Sequence, residues 1–431
     1  MLATQPNQNI AKVVCINCGK EYAPKIATSG CEICGNLLEI QHPLASLRQI
    51  ITPEWLAERR IERKFPYQSG VWRWRELIAP FPDEAIVSRN EGNTTLFEDC
   101  GLAQYAGLHN VWLKHEGENP TGSFKDRGMT VGVSHAKWVG AKIVACASSG
   151  NTSAALAAYA ARAGLKALTF IPAGKVSYGK LSQTMAYGAK TIQVEGSFDN
   201  ALDLVRQLSA EKEVYLVNSL NPFRLEGQKT IIFELLDQFN WEVPDWIVVA
   251  GGNLGNTSAF GKALHEMREL GLIGKMPRLA VIQAEGASPF FNYYRSDFQF
   301  FEPMKPETVA TAIRIGNPVN VPKAVRAIQW TNGIVEKVTD AQIMDAKVRL
   351  DRSGIGGEPA AAATLAGIKK LTAQKVINPN DKVVCILTGH ILKDAESIIN
   401  YHTANEGNQP LANPLIKING SLKEVEELLS E

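Results

Sequence analysis

The chain of 431 residues lacks a charge excess: 45 basic and 44 acidic residues leave a net charge of +1. That argues against a nucleic-acid partner or a strongly acidic one. No apolar run is long enough to cross a bilayer. The most apolar helical stretch, residues 154–163, is alanine-rich and broken by Arg162, short of the roughly 20 apolar residues a span needs. Residues 1–12 are polar and carry no basic-then-apolar secretory pattern, so we expect a soluble, cytoplasmic protein. Seven cysteines, an odd number, do not suit a disulfide framework. Internal repeats and low-complexity segments are absent.

What is present is an average globular composition, 45% hydrophobic and 21% charged. The length exceeds what one core supports, which predicts two main domains and a small appendage. From about Val111, short β-branched runs alternate with helical segments, the signature of a mostly parallel sheet covered by helices. Three units share one design of apolar strand, polar or glycine-bearing turn, then helix. They are residues 142–147 before Ser148-Ser149-Gly150-Asn151, residues 246–250 before Gly251-Gly252-Asn253-Leu254-Gly255-Asn256, and residues 382–387 before Thr388-Gly389-His390. Ligands of open α/β sheets bind beyond the carboxyl ends of strands. All three turns therefore point at one site.

Lys125 lies in Asn119-Pro120-Thr121-Gly122-Ser123-Phe124-Lys125-Asp126-Arg127-Gly128, a punctuated loop leading into a helical pattern over residues 129–138. Alone it reads equally as a surface lysine. An amine that attacks a carbonyl must first lose its proton, and apolar or cationic neighbours favour that loss. Phe124 and Arg127 offer one of each. The turn at residues 251–256 presents successive backbone N–H groups ahead of a helix over residues 258–270, which suits a phosphate; its plain alternative is a tight connection. It is not the dinucleotide fingerprint, because its glycines do not fall as G-x-G-x-x-G. Ser148, Ser149, Asn151 and Thr152 surround one glycine at a helix start. One N-cap needs one such residue, and the surplus could take a carboxylate at the helix N-terminus.

Cys15, Cys18, Cys31 and Cys34 form two CxxCG turns separated by twelve residues. Four thiolates in two such knuckles make a closed, structural zinc site; the alternative is reduced, metal-free cysteine. Cys100, Cys146 and Cys385 lie in or beside apolar runs, where cysteine is a small core residue.

The segment around Lys125, taken with residues 148–152, 252–256 and 388–390, resembles the fold-type-II, tryptophan-synthase-β-like pyridoxal-phosphate enzymes from about Ser69 onward. Within them it is similar to the threonine synthases, through residues 218–230 (Asn218-Ser219-Leu220-Asn221-Pro222-Phe223-Arg224 and on to Thr230) and residues 312–318, and to their plant-like branch through residues 243–271 and Ser69-Gly70-Val71-Trp72. The resemblance implies two three-layer α/β domains behind a zinc-ribbon-like module. Its divisions are residues 1–45 for the module, 46–128 for an arm and the start of the large domain, 129–217 for the small domain, and 218–431 for the large domain and tail. It implies pyridoxal 5′-phosphate held by Lys125 as a Schiff base, Asn151 on its 3′-oxygen, Gly252, Asn253, Leu254, Gly255 and Asn256 around its phosphate, and Thr388 at its ring nitrogen. Ser149 and Thr152, beside Ser148, would take the substrate carboxylate. Ser219, Arg224 and Asn256, beside Asn218, would take the phosphate of O-phospho-L-homoserine, which is converted with water to L-threonine and phosphate. A homodimer is also implied.

Read without the family, Arg224 is a structural salt bridge before it is a ligand site. Two positions depart from the family pattern: Ile391 follows Thr388-Gly389-His390, and the run Ala360–Ala363 follows Glu358-Pro359. Both are expected near the cofactor. The alternatives are a dehydratase or cysteate-synthase-like relative, which the Arg224 segment argues against, and a zinc-ribbon adaptor on an inactive fold, which Lys125 argues against.

Overall fold

A computed structural model describes residues 11–27, 30–173, 178–195, 204–205, 207–209, 214–404 and 409–429. Most of the polar start read above lies outside them. Three sheets organise the described residues. The first is antiparallel, in the order β2 (Glu21–Tyr22), β1 (Lys12–Cys15), β3 (Leu38–Gln41). The second has six strands: β12 (Ile334–Val338), β11 (Arg278–Ala284), β10 (Trp246–Ala250), β13 (Val383–Leu387), β5 (Val111–His115) and β4 (Leu96–Glu98). Its pairings are parallel except for the edge strand β4. The third is wholly parallel, in the order β8 (Lys190–Val194), β7 (Lys166–Pro172), β6 (Ile143–Ala147), β9 (Val214–Leu216).

Parallel strands need crossovers, and helices covering both faces leave no polar face on the sheet. That is why β10, β13 and β6 read as unbroken apolar runs. Alternation survives inside them: Ile247 and Val249 enter one core, while Trp246, Val248 and Ala250 enter the core on the other face. On β6, Val144 and Cys146 face one core and Ala145 and Ala147 another.

The helices that shape the site are α1 (Lys125–Trp138), α2 (Asn151–Ala163), α3 (Pro222–Gln238), α4 (Gly255–Glu269), α5 (Val321–Trp330), α6 (Asp340–Arg352) and α7 (Pro359–Ala373). Helix α1 begins at Lys125 itself, one turn earlier than the apolar pattern suggests, and its Gly128 and Gly132 face Arg224 of α3 at close range. A Cβ at Gly132 would lie 2.9 Å from Val217 Cγ1 and 3.0 Å from Arg224 Cγ. Only glycine lets the Arg224 side chain run along α1. The run Ala360–Ala363 is buried core on α7, and Ile391 packs against Gly356.

The cysteine module docks on this body through main-chain groups and one ion cluster. Lys323 on α5 donates to the Leu38 carbonyl at 2.6 Å, His135 on α1 meets the Pro24 carbonyl at 2.8 Å, and His42 Nε2 lies 2.7 Å from the Glu226 carboxylate on α3. Trp72 and Trp74 in the arm are buried in the large core. Ser421 caps the final helix, Leu422–Leu429, accepting from Glu424 N at 3.3 Å.

Candidate active site

Two of the strand-end loops are sewn together by their backbones. Ser123 and Gly389 form an isolated antiparallel bridge, Phe124 N donates to Thr388 O at 3.1 Å, and His390 N donates to Gly122 O at 2.9 Å. The β6 loop joins through Asn218, whose Oδ1 accepts from Ala147 N at 3.0 Å and whose Nδ2 donates to Ala147 O at 3.1 Å. Lys125 and Thr388 are brought to one cleft by the backbone pairing at Ser123 and Gly389, and Asn151 joins them there through Glu358, to which it and Thr388 both donate. Asn218 spends both ends of its amide on the Ala147 backbone, so its role there is to fix the turn at residues 148–152.

Lys125 is half-buried, its Nζ 4.1 Å from the centre of the Phe124 ring. Burial, then the Arg224 guanidinium, lowers its pKa to about 7, against an opposing pull from Glu358. The nearby cation is therefore Arg224 and not Arg127, as the sequence suggested. Arg127 is committed elsewhere: its Nε donates to Glu116 at 2.6 Å and its Nη2 to Glu234 at 2.9 Å, and Glu234 also accepts from Lys114 at 2.6 Å. This buried ion network holds the start of α1.

Arg224 is 1% exposed. The N-cap Asn221 accepts from its backbone N–H at 3.3 Å, and its Nη1 donates to the Val217 carbonyl at 2.9 Å. Its Nε has no partner, and among the described residues no carboxylate pairs with it. Burial lowers its pKa to about 10, offset in part by Cys146. The salt-bridge reading of Arg224 fails, since a buried cation of this kind calls for an anion. Three residues that the sequence did not single out also hold buried polar atoms without hydrogen-bond partners: Ser123 Oγ, Thr257 Oγ1 and Asn320 Oδ1.

The β10 turn leads into α4, whose N-cap, Leu254, adopts a left-handed conformation (φ 61°) and offers no side-chain acceptor. A non-glycine residue held there is a local strain of the kind that clusters at ligand sites. The first N–H groups of α4 are left for a ligand. Asn256 Oδ1 accepts from Gln228 Nε2 at 2.7 Å, and the Asn253 carbonyl accepts from Asn320 Nδ2 at 3.2 Å. Ser219 joins through its carbonyl, 3.1 Å from the same Asn320 nitrogen. At α2 the N-cap is Gly150, again without a side-chain cap. Ser148 Oγ accepts from the backbone N–H of Gly150 at 3.2 Å, a local turn contact ahead of the helix, so the plain explanation accounts for one hydroxyl of that cluster.

Pyridoxal phosphate fits this donor set: an amine poised near neutral pH, an uncapped helix start with a strained nest, and a buried hydroxyl, Thr388, with an amide, Asn151, close to it. Glu358, which sequence reasoning passed over, joins the last two. It accepts from Asn151 Nδ2 at 3.0 Å and from Thr388 Oγ1 at 3.2 Å. Separately, the sulfurs of Cys15 and Cys34 lie 3.5 Å apart and those of Cys18 and Cys31 3.6 Å apart. That approaches the ~3.8 Å between ligands that a tetrahedral zinc–sulfur length of about 2.3 Å requires.

Comparison with known proteins adds the following. Residues 87–389 match the model of the pyridoxal-phosphate dependent enzyme family. The threonine synthase of Methanocaldococcus jannaschii is 49% identical over 387 residues, covering 89% of this chain and 93% of that protein. Threonine synthase 2, chloroplastic, of Arabidopsis thaliana is 43% identical over 412 residues, covering 92% and 80%. Among solved structures, maize serine racemase superposes with a TM-score of 0.60 at 22% identity, covering 71% of this chain and 92% of that one. Diaminopropionate ammonia lyase of Escherichia coli gives 0.63 at 14%, covering 76% and 92%. These two likenesses speak to the fold alone.

Proposed function

The chain belongs to the pyridoxal-phosphate dependent enzymes, and from that membership we propose that it is a threonine synthase, converting O-phospho-L-homoserine and water to L-threonine and phosphate. The observation that carries the substrate is Arg224. A lyase acting on an unphosphorylated amino acid needs one phosphate site, for the cofactor. This chain has the uncapped start of α4 and, besides it, a buried guanidinium without a counterion beside the cofactor lysine.

When bound, the cofactor supplies an electron sink for carbanions formed next to it. The chain's own groups do the rest. Lys125 Nζ, neutral in good part near pH 7, takes and returns protons on the substrate carbons. The turn at residues 148–152, fixed by Asn218, holds the substrate carboxylate through Ser149, Thr152 and the start of α2. Arg224, with Ser219 and Asn256, holds the substrate phosphate and stabilises the charge it carries away on leaving. Incubation with O-phospho-L-homoserine should release phosphate and threonine in equal amounts. Phosphate without threonine would refute the proposal in favour of simple elimination.

The same reading includes a structural zinc on Cys15, Cys18, Cys31 and Cys34, supported by the clustering of their sulfurs within 4.8 Å of one another. It also carries a homodimer and a cytoplasmic location, to be checked by sedimentation and by fractionation. Among the described residues no helix is long and apolar enough to cross a membrane.

A further inference from the structure

Glu358 is 3% exposed and stands at the N-cap of α7, yet it does not cap that helix with its side chain. An N-cap carboxylate ordinarily turns back onto its own helix N–H groups. This one reaches into the cleft. Its backbone N–H donates to the Gly389 carbonyl at 3.0 Å, and its two oxygens meet Asn151, from the β6 loop, and Thr388, from the end of β13. Gly389 is needed for this approach, because a Cβ there would lie 2.5 Å from the Glu358 carboxyl carbon. One carboxyl group thus joins the two residues assigned above to the ring nitrogen and the 3′-oxygen, which lie on one edge of the cofactor ring.

The hydroxyl of Thr388 has one proton and can donate it in one direction at a time. An ionised Glu358 only accepts, so it draws that proton, and Oγ1 turns a lone pair to the ring nitrogen and favours the nitrogen's protonated form. A protonated Glu358 donates to Oγ1, which frees the hydroxyl to donate to an unprotonated nitrogen. Asn151 is fixed in the same way. One N–H of its amide is engaged by Glu358, leaving the other for the 3′-oxygen.

We propose that Glu358 is the positioning residue that sets the donor direction of Thr388 and Asn151, and through Thr388 the protonation of the cofactor's ring nitrogen. The proposal rests on the cofactor reading above. A hydroxyl alone leaves the ring nitrogen unprotonated and the electron sink weak; a carboxylate behind that hydroxyl strengthens it. Burial raises the Glu358 pKa, against opposing pulls from Asn151, Lys393, Thr388 and Lys125. The charged groups facing it are Lys125 at the start of α1, Lys393 beyond β13 and Lys347 on α6. Lys393 is itself engaged by Gln183 and lies near Asp126.

The test is nitrogen-15 NMR of the holoenzyme loaded with ring-labelled cofactor, recorded from acid to alkaline pH for the wild type and Glu358→Gln. The glutamine accepts from Asn151 and donates to Thr388, which locks the arrangement of the protonated acid. The expected result is a variant whose ring nitrogen keeps the unprotonated shift at pH values where the wild-type nitrogen is wholly or partly protonated. Identical shifts in the two proteins across the range would overturn the proposal and leave Glu358 a strut. Should the glutamine variant not fold, Thr388→Val answers the same question. It should lose the wild-type protonation of the nitrogen, and retention of that protonation would be equally fatal. Wild-type protein that binds no labelled cofactor would instead overturn the underlying reading, and is recognised by the absence of any bound signal.

Discussion

Lys125 and Arg224 act on one another as neighbouring cations, and among the described residues neither forms an ion pair: burial and then the guanidinium bring the Lys125 amine down to about 7, while Arg224 keeps an unpartnered Nε. A depressed lysine pKa leaves the amine neutral above the folded value and protonated below it. Uptake of the cofactor by the apo-protein, which needs the neutral amine, should therefore rise with pH through about 7. In Arg224→Met one of the lowering influences is gone, so the profile should move to higher pH. Stopped-flow absorbance across pH checks both, and an unmoved profile would show that the guanidinium does not act on the amine.

The same substitution removes the anchor of the substrate phosphate. Hydrogen bonds to charged groups contribute about 1.5–3 kcal/mol, so kcat/KM for O-phospho-L-homoserine should fall roughly 10- to 100-fold. Cofactor affinity should hardly change, because the α4 nest is intact. Lys125→Ala is the reciprocal case, abolishing the visible band of the bound cofactor while leaving Arg224 in place.

Glu234 is the centre of the buried ion network, accepting from Lys114 and Arg127 and from the backbone N–H groups of Asn93 and Thr94. Removing one partner of such a group strands the others without water. Glu234→Ala should destabilise the chain by about 3–5 kcal/mol, read as a lower midpoint in chemical denaturation.

Gly132 makes room for Arg224. Gly132→Ala forces contacts of 2.9 and 3.0 Å with Val217 and Arg224; overpacking of this kind costs about 1–3 kcal/mol. The expected outcome is a modest loss of stability and a raised KM, because the displaced side chain is the phosphate anchor. Gly274→Ala, where a Cβ would meet nothing within 4 Å, is the matched control.

The cysteine module offers the last test. Purified protein should hold about one zinc per chain, and Cys31→Ser should lose it. Because β3 hands its backbone to α5 and His42 to Glu226 on α3, metal loss should also lower the thermal midpoint of the whole chain. A metal-free protein of unchanged stability would reject the zinc reading.

The three strand-end turns and the cysteine pairs were legible in the sequence because each is a contiguous motif whose chemistry follows from spacing and backbone conformation. Lys125, a surface lysine by itself, became a candidate only when those turns were taken with it. The fate of Arg127 was not legible, since it depends on how α1 packs against α3 and on which acids that packing buries. Glu358 was illegible for the same reason: it stands 207 residues from Asn151 and 30 from Thr388, and nothing in its own neighbourhood shows that its carboxyl group leaves its helix. Whether a charged side chain is a strut or a site is decided by which partners desolvation leaves it. Arg127 was left with two carboxylates, and Arg224, among the described residues, with none.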